Sequence, residues 1–209
     1  MDSCVTAASA ISDGYRPAFL HINYGQRTES KELNAFNEIA DHYHVDQKLV
    51  VDITHLSEIG GSCLTDQNIE VPDADLENED IPISYVPFRN ANILAIATSW
   101  AEVLGATAIY VGAVEEDSSG YPDCRRSFFD AFENTIDTGT KPDTHIKIIT
   151  PLITLSKKDI VEKGIVLEAP LHLTWSCYQN EDIPCGECDS CALRARGFDE
   201  AGVRDTILT

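Results

Sequence analysis

Along the chain, the spacing of hydrophobic positions switches between a short continuous run and a helical period, and the switches outline alternating strands and helices. Residues 2–13 open on Asp2 and Ser3 and continue through Ala7, Ala8, Ala10 and Ile11, which predicts a helix. "PAFLHINY" (17–24) is an apolar run of strand length that leads into a polar loop. Residues 28–44 place Leu33, Phe36, Ile39 and Ala40 at helical spacing, and "KLVVDI" (48–53) is the next strand. Residues 90–105 form a strongly apolar helix closed by Gly105. "ATAIYVGA" (106–113) is a buried strand, "RSFFDAFENTI" (126–136) a helix and "IKIITPL" (146–152) the last strand. "SKKD" (156–159) reads as a capping box that opens one more helix. No internal repeat interrupts this order.

Strands that alternate with helices predict an α/β protein, a parallel sheet with helices on both faces. Ligands of such sheets bind beyond the carboxyl ends of the strands, so the polar loops after "FLHIN" and "AIYVG" are the expected mouth of a site. Residues 66–82, "DQNIEVPDADLENEDIP", are acidic, and no Lys or Arg lies between Lys48 and Arg89. A stretch that long without periodicity is expected to be a mobile lid.

Composition narrows the function classes. The 209 residues suffice for one large domain, or a domain with an appendage. No stretch approaches the ~20 apolar residues of a membrane span. No signal segment opens the chain, which is expected to be cytoplasmic. The net charge of −20 repels phosphate backbones, and without a basic stripe no stable tRNA or DNA binding is expected. Basic residues number 15, and Arg27, Arg89, Arg125 and Arg126 fall in polar loops, where they are candidates for an anionic ligand.

Seven cysteines, four of them clustered, argue against a secreted disulfide framework. Cys177, Cys185, Cys188 and Cys191 are spaced C-x7-C-x2-C-x2-C. Four thiolates can close a tetrahedral shell around Zn²⁺, a structural site that fastens the C-terminal loop. The spacing is also compatible with iron–sulfur ligation or with free redox cysteines. Cys4, Cys63 and Cys124 stand alone and read as small half-buried side chains.

"INYGQRTES" (22–30), "SCLT" (62–65), "SYVPFRNANIL" (84–94), "VGAVEEDSSGYPDCRRSFF" (111–129), "TPL" (150–152) and "TWSCY…CGECDSCALRA" (174–195) together resemble the QueC family of 7-cyano-7-deazaguanine synthases. The similarity runs from Met1 to about Gly197, and "SGYPDCR" with the four cysteines in that order is its most specific part. The family belongs to the PP-loop ATP pyrophosphatases, whose Rossmann-like sheet begins strand, S-G-G-x-D-S, helix. That loop binds phosphate through a backbone anion nest and a helix N-terminus. "MDS" matches its last three positions, with Met1 on the x. The first strand and the S-G-G are not in this sequence, and the expectation is that the codons upstream of Met1 read in frame into them. A sheet without that central strand leaves two neighbours unpaired. The resemblance implies a core over residues 1–165 and a four-cysteine zinc-binding segment, 166–209, packed on it.

The reaction so implied joins 7-carboxy-7-deazaguanine, ammonia and ATP to give 7-cyano-7-deazaguanine (preQ0), a precursor of queuosine or archaeosine in tRNA. ATP adenylates the carboxylate and pyrophosphate leaves; ammonia gives an amide; a second ATP activates the amide oxygen, and loss of AMP leaves the nitrile. Met1, Asp2, Ser3 and Cys4 would face ATP and its Mg²⁺. Arg27, Arg89 and Asp117 would form the catalytic group, the arginines clamping phosphate or carboxylate. Gln26, Asn90, Tyr121, Asp123 and Arg125 would hold the substrate, with a carboxylate accepting from the N–H groups of the base and Tyr121 stacking on it. Lys157 or Lys158 is a further phosphate candidate. Phe88 stands where many members carry glycine, and its bulk is expected to narrow the site. A homodimer is expected, with ammonia supplied free or by a partner. Two other readings remain at this point: a tRNA-thiolating PP-loop enzyme, and a catalytically silent binding domain stabilised by zinc.

Overall fold

The computed structural model describes residues 1–78, 80–115 and 120–207. Its elements follow the order the periodicity outlines: α1 (Asp2–Ser12), β1 (Phe19–Asn23), α2 (Glu29–His42), β2 (Lys48–Asp52), α3 (His55–Ile59), α4 (Arg89–Leu104), β3 (Ala108–Tyr110), α5 (Arg126–Gly139), β4 (Lys147–Ile149), α6 (Lys157–Val166) and α7 (Asp189–Glu200). Single 3-10 turns lie at Pro122–Cys124 and Leu171–Leu173.

The helix ends have local causes. The capping box at α6 is present in full: the Ser156 side chain accepts from the Asp159 N–H, and the Asp159 carboxylate accepts from the Ser156 N–H. Gly105 adopts the left-handed conformation that stops α4, and its N–H satisfies a last-turn carbonyl. Phe88, at the other end of α4, is also left-handed, with φ of 59°. Glycine takes that conformation at no steric cost, whereas an L side chain does not.

The parallel pairing expected from strand–helix alternation is present, but it is divided. β1 pairs with β2 from Phe19↔Lys48 to Asn23↔Asp52, and β3 pairs with β4 from Ala108↔Lys147 to Tyr110↔Ile149. Each pair encloses one helix of a βαβ unit, α2 or α5. The expected single sheet is therefore two two-stranded sheets among the described residues, with β1 and β3 each paired on one edge only.

The core divides similarly. Leu94, Phe129, Ile136, Ile146 and Ile148 pack α4 and α5 on the β3–β4 pair. Ile22, Leu56, Cys63, Leu64 and Val86 fill the space beyond β1. Val5, Leu152 and Ile160 bind α1 to α6. Full burial of a side chain such as Phe129 contributes roughly 1.5–3 kcal/mol.

The acidic stretch after Asp66, expected to be a lid, carries no helix or strand among its described residues and is tied to the rest of the chain by hydrogen bonds. The Arg27 guanidinium donates to the carbonyls of Asp66 and Ile69. The Ala74 N–H donates to the Glu187 carbonyl, and the Asp75 N–H to the Asp189 carboxylate. Ile69 and Val71 add apolar contacts. Backbone bonds to the cysteine segment thus hold this loop despite its charge.

Candidate functional site

A cavity of about 280 Å³ opens where the carboxyl ends of β1 and β3 meet the N-termini of α1 and α6 and one side of α7. Two glycines let the chain fold this tightly. Gly25 has φ of +83°, and a Cβ there would sit 2.8 Å from the Ser57 Cβ. A Cβ at Gly112 would lie 2.9 Å from the Ser3 nitrogen, so only glycine lets the loop after β3 pass against the start of α1.

Met1, Asp2, Ser3 and Lys157 line the cavity together. Lys157 Nζ lies 2.6 Å from Asp2 Oδ2. The other carboxylate oxygen, Asp2 Oδ1, is buried and has no hydrogen-bond partner. An acceptor without a donor beside a cation and a helix N-terminus fits a ligand that brings its own positive charge, as metal-bound phosphates do.

A second polar group forms in the loop between β1 and α2. The Tyr24 N–H donates to Gln26 Oε1 at 2.9 Å, and Gln26 Nε2 donates to Glu32 Oε2 at 3.3 Å. Thr28 Oγ1 donates to Glu32 Oε1 at 2.7 Å. Tyr24, Tyr121, Trp175 and Tyr178 supply aromatic surface to the same cavity. Burial pushes the Tyr24 phenol up to about 12 and also raises that of Tyr178, so both remain neutral.

Of the residues singled out from sequence, Met1, Asp2, Ser3, Gln26, Arg27, Tyr121 and Lys157 line this cavity. Arg27 does so with its guanidinium largely committed: Nε donates to the Cys63 carbonyl at 2.7 Å, and one Nη serves two more carbonyls. Arg89 donates to the Tyr24 hydroxyl at 3.0 Å and lies over that ring. Burial alone would lower its pKa, but the phenols of Tyr24, Tyr121 and Tyr178 and the Asp123 carboxylate outweigh it and hold it charged.

Asp123 is buried, and its Oδ2 accepts the Asn90 N–H at 3.0 Å. Asn90 Nδ2 returns a bond to the Asp123 carbonyl and another to Cys124 Sγ. The carboxylate thus caps α4, whose own N-cap residue supplies no side-chain bond. Burial raises its pKa. Arg125 is exposed at the start of α5, and Cys4 is buried in α1 with its thiol pushed up to about 11 by desolvation. Lys158 pairs with Glu162 along α6. Phe88 does not narrow the cavity: it lies outside, 62% exposed, with its ring edge-on to Phe128. Asp117 lies outside the described residues.

The four clustered cysteines converge. The Sγ atoms of Cys177, Cys185, Cys188 and Cys191 all lie within 4.8 Å of one another. One four-coordinate ion with thiolate bonds near ~2.3 Å spans sulfurs this close, whereas a four-iron cluster holds its thiolates farther apart. Cys177 Sγ accepts N–H bonds from Gln179, Asn180 and Cys185, and Cys185 Sγ accepts one from Cys188. Such donors stabilise thiolate charge beside a metal. The segment also joins the cavity. Tyr178 follows Cys177 directly, and Glu181 accepts the N–H groups of Ser30 and Lys31 at the first turn of α2.

Sequence reading missed Tyr24, Thr28, Glu32, Trp175, Ser176, Tyr178 and Arg194 as cavity residues. Trp175 and Tyr178 flank a ligand cysteine, and that adjacency was the available signal.

An α/β fold of parallel βαβ units, with a polar cavity at its strand ends and a four-thiolate centre beside it, defines a nucleotide-type ligand-binding class of protein. A sequence model described as queuosine biosynthesis protein QueC matches residues 1–202, and the chain belongs to that family. It is 56% identical over 207 residues to a 7-cyano-7-deazaguanine synthase of Chlorobium chlorochromatii, covering 99% of this chain and 91% of that one. It is 58% identical to the 7-cyano-7-deazaguanine synthase of Chloroherpeton thalassium, covering 92% of it. No helix among the described residues is long and apolar enough to cross a membrane.

Proposed function

We propose that the protein is a 7-cyano-7-deazaguanine synthase, a ligase that converts 7-carboxy-7-deazaguanine and ammonia to the nitrile at the expense of ATP, in the cytoplasm. The observation that carries this reading is one cavity that unites a phosphate-type group (Asp2, Ser3, Lys157) with a base-type group (Gln26, Thr28, Glu32 and aromatic rings). A reaction that adenylates a carboxylated base needs both at once.

Ser3, Lys157 and the first N–H groups of α1 would hold the phosphates, and Asp2 Oδ1 would ligate the Mg²⁺ that ATP carries. Mg²⁺ held there would supply charge neutralisation as pyrophosphate leaves. Arg89 acts by keeping Tyr24 in place, and the four cysteines would hold one structural zinc. A homodimer follows from the family resemblance, and sedimentation would test it.

The thiolating alternative needs an accessible thiol of low pKa. Cys63 is raised, and Cys124 is pushed up to about 11, in both cases by burial, and the remaining cysteines are Cys4 and the clustered four.

Incubation of the chain with ATP, Mg²⁺, ammonium and 7-carboxy-7-deazaguanine should yield the nitrile, seen by mass spectrometry. Asp2→Ala should lower its rate roughly 10- to 100-fold, the loss of one charge-assisted contact. Absence of the nitrile, together with tRNA retention on a filter, would move the assignment to the thiolating class. Absence of both, with no ATP binding by calorimetry, would leave a silent scaffold.

A further inference from the structure

We infer that Glu32 selects the base: its carboxylate reads the guanine-like edge of the substrate, accepting from the ring N1–H and the exocyclic 2-amino group. This assignment rests on the function proposed above and names the contact that gives it specificity.

Among the described residues, the carboxylates that line the cavity are those of Asp2 and Glu32. Asp2 is held by Lys157 at 2.6 Å, in the phosphate-type group. Asp123, whose charge suits the same task, does not line the cavity: it is buried against the start of α4, where its Oδ2 accepts the N–H of Asn90. Glu32 is therefore the acceptor in the base-type group. A pyrrolopyrimidine of guanine pattern presents two adjacent N–H donors on one edge, and a carboxylate can accept both in parallel. An adenine-type edge offers an acceptor at N1 and would meet Glu32 with repulsion.

Glu32 is aimed in advance. Thr28 Oγ1 fixes one oxygen at 2.7 Å and Gln26 Nε2 fixes the other at 3.3 Å, and Gln26 is itself fixed by the Tyr24 N–H. Thr28 and Gln26 are both buried, at 2% and 6% exposure, so neither can swing away. Each carboxylate oxygen has more than one acceptor position, and the bonds from Thr28 and Gln26 leave room for a ligand's donors. Glu32 thus acts as a specificity residue, with Thr28 and Gln26 as its positioning residues.

The test is calorimetric titration of the full chain with 7-carboxy-7-deazaguanine and with its 2-desamino analogue. The unmodified chain should favour the amino-bearing base about 10- to 100-fold. Glu32→Gln should erase most of that preference while leaving ATP affinity and the melting temperature unchanged. Thr28→Val, isosteric and expected to fold, should lower the preference by a smaller factor. If Glu32→Gln keeps the preference, or weakens both bases equally, the assignment is overturned and the function stands. If the unmodified chain binds neither base, the function falls and the assignment with it.

Discussion

Two arginines and two carboxylates divide this molecule by how fully their hydrogen bonds are used. Arg194, 2% exposed, spends all five donors: Nε and Nη2 on the Asp205 carboxylate, Nη1 on the hydroxyls of Thr174 and Ser176, and Nη2 again on the Leu171 carbonyl. Arg27 is used less fully: Nε and one Nη serve three backbone carbonyls. Asp2 and Glu32 face the same cavity, yet Asp2 keeps one oxygen with no partner, and Glu32 accepts one bond at each. A buried polar group left unsatisfied costs stability, so a fold retains one where a ligand completes it. Charge type alone does not separate the two roles. The saturated Arg194 holds the structure, and the open acceptor positions of Asp2 and Glu32 are the ones the proposed function gives to ligands.

That contrast can be broken by substitution. The largest effect should come from the cysteine centre: Cys188→Ser should abolish stoichiometric zinc by elemental analysis and unfold the C-terminal segment, since structural zinc contributes on the order of 10 kcal/mol. Arg194→Ala should follow, at roughly 3–5 kcal/mol in urea unfolding, because it strands the Asp205 charge in the core. An apolar replacement of both partners should cost less, and an equal cost would show that the pair itself, not its saturation, matters.

Glu133 offers a pH-dependent case. Lys147 and the Ile148 N–H hold its carboxyl below the usual value. A depressed folded pKa gives stability that is present above the unfolded pKa near ~4.3 and is lost as pH falls through the folded one. Glu133→Gln should therefore cost about 1 kcal/mol at pH 7, with the gap to wild type closing in acid. The smallest effect belongs to Phe88→Gly. Relief of the left-handed strain exceeds the lost contact with Phe128 and the added chain entropy by under about 1 kcal/mol. A lower melting temperature would mean the Phe88–Phe128 contact outweighs the strain.

Much of this was legible in the sequence, and the exceptions have physical causes. The order of strands and long helices came from apolar spacing, and the α6 capping box was read residue by residue. α7 was missed because its sequence spends Cys191 on the metal centre and Arg194 on the core, positions that periodicity counts as polar. α3 has five residues, too few for a period to register. Asp123 also caps α4 at Asn90, 33 residues away, a contact that leaves no local trace. To hydrophobic periodicity Glu32 is one more charge on the polar side of a helix. Its difference lies in Gln26 and Thr28, whose side chains turn inward with it.

The bond from Glu181 to the first turn of α2 spans about 150 residues of chain. It also sets a timetable. During synthesis β1, α2 and β2 emerge early, but the cap on α2, the Tyr178 ring and Arg194 arrive only with the final segment. The first βαβ unit therefore carries half a binding site, open on one side, until the cysteine segment folds against it. With the proposed zinc holding that segment, metal supply gates maturation: in zinc-starved cells the protein would accumulate with its first βαβ unit made and its cavity unfinished.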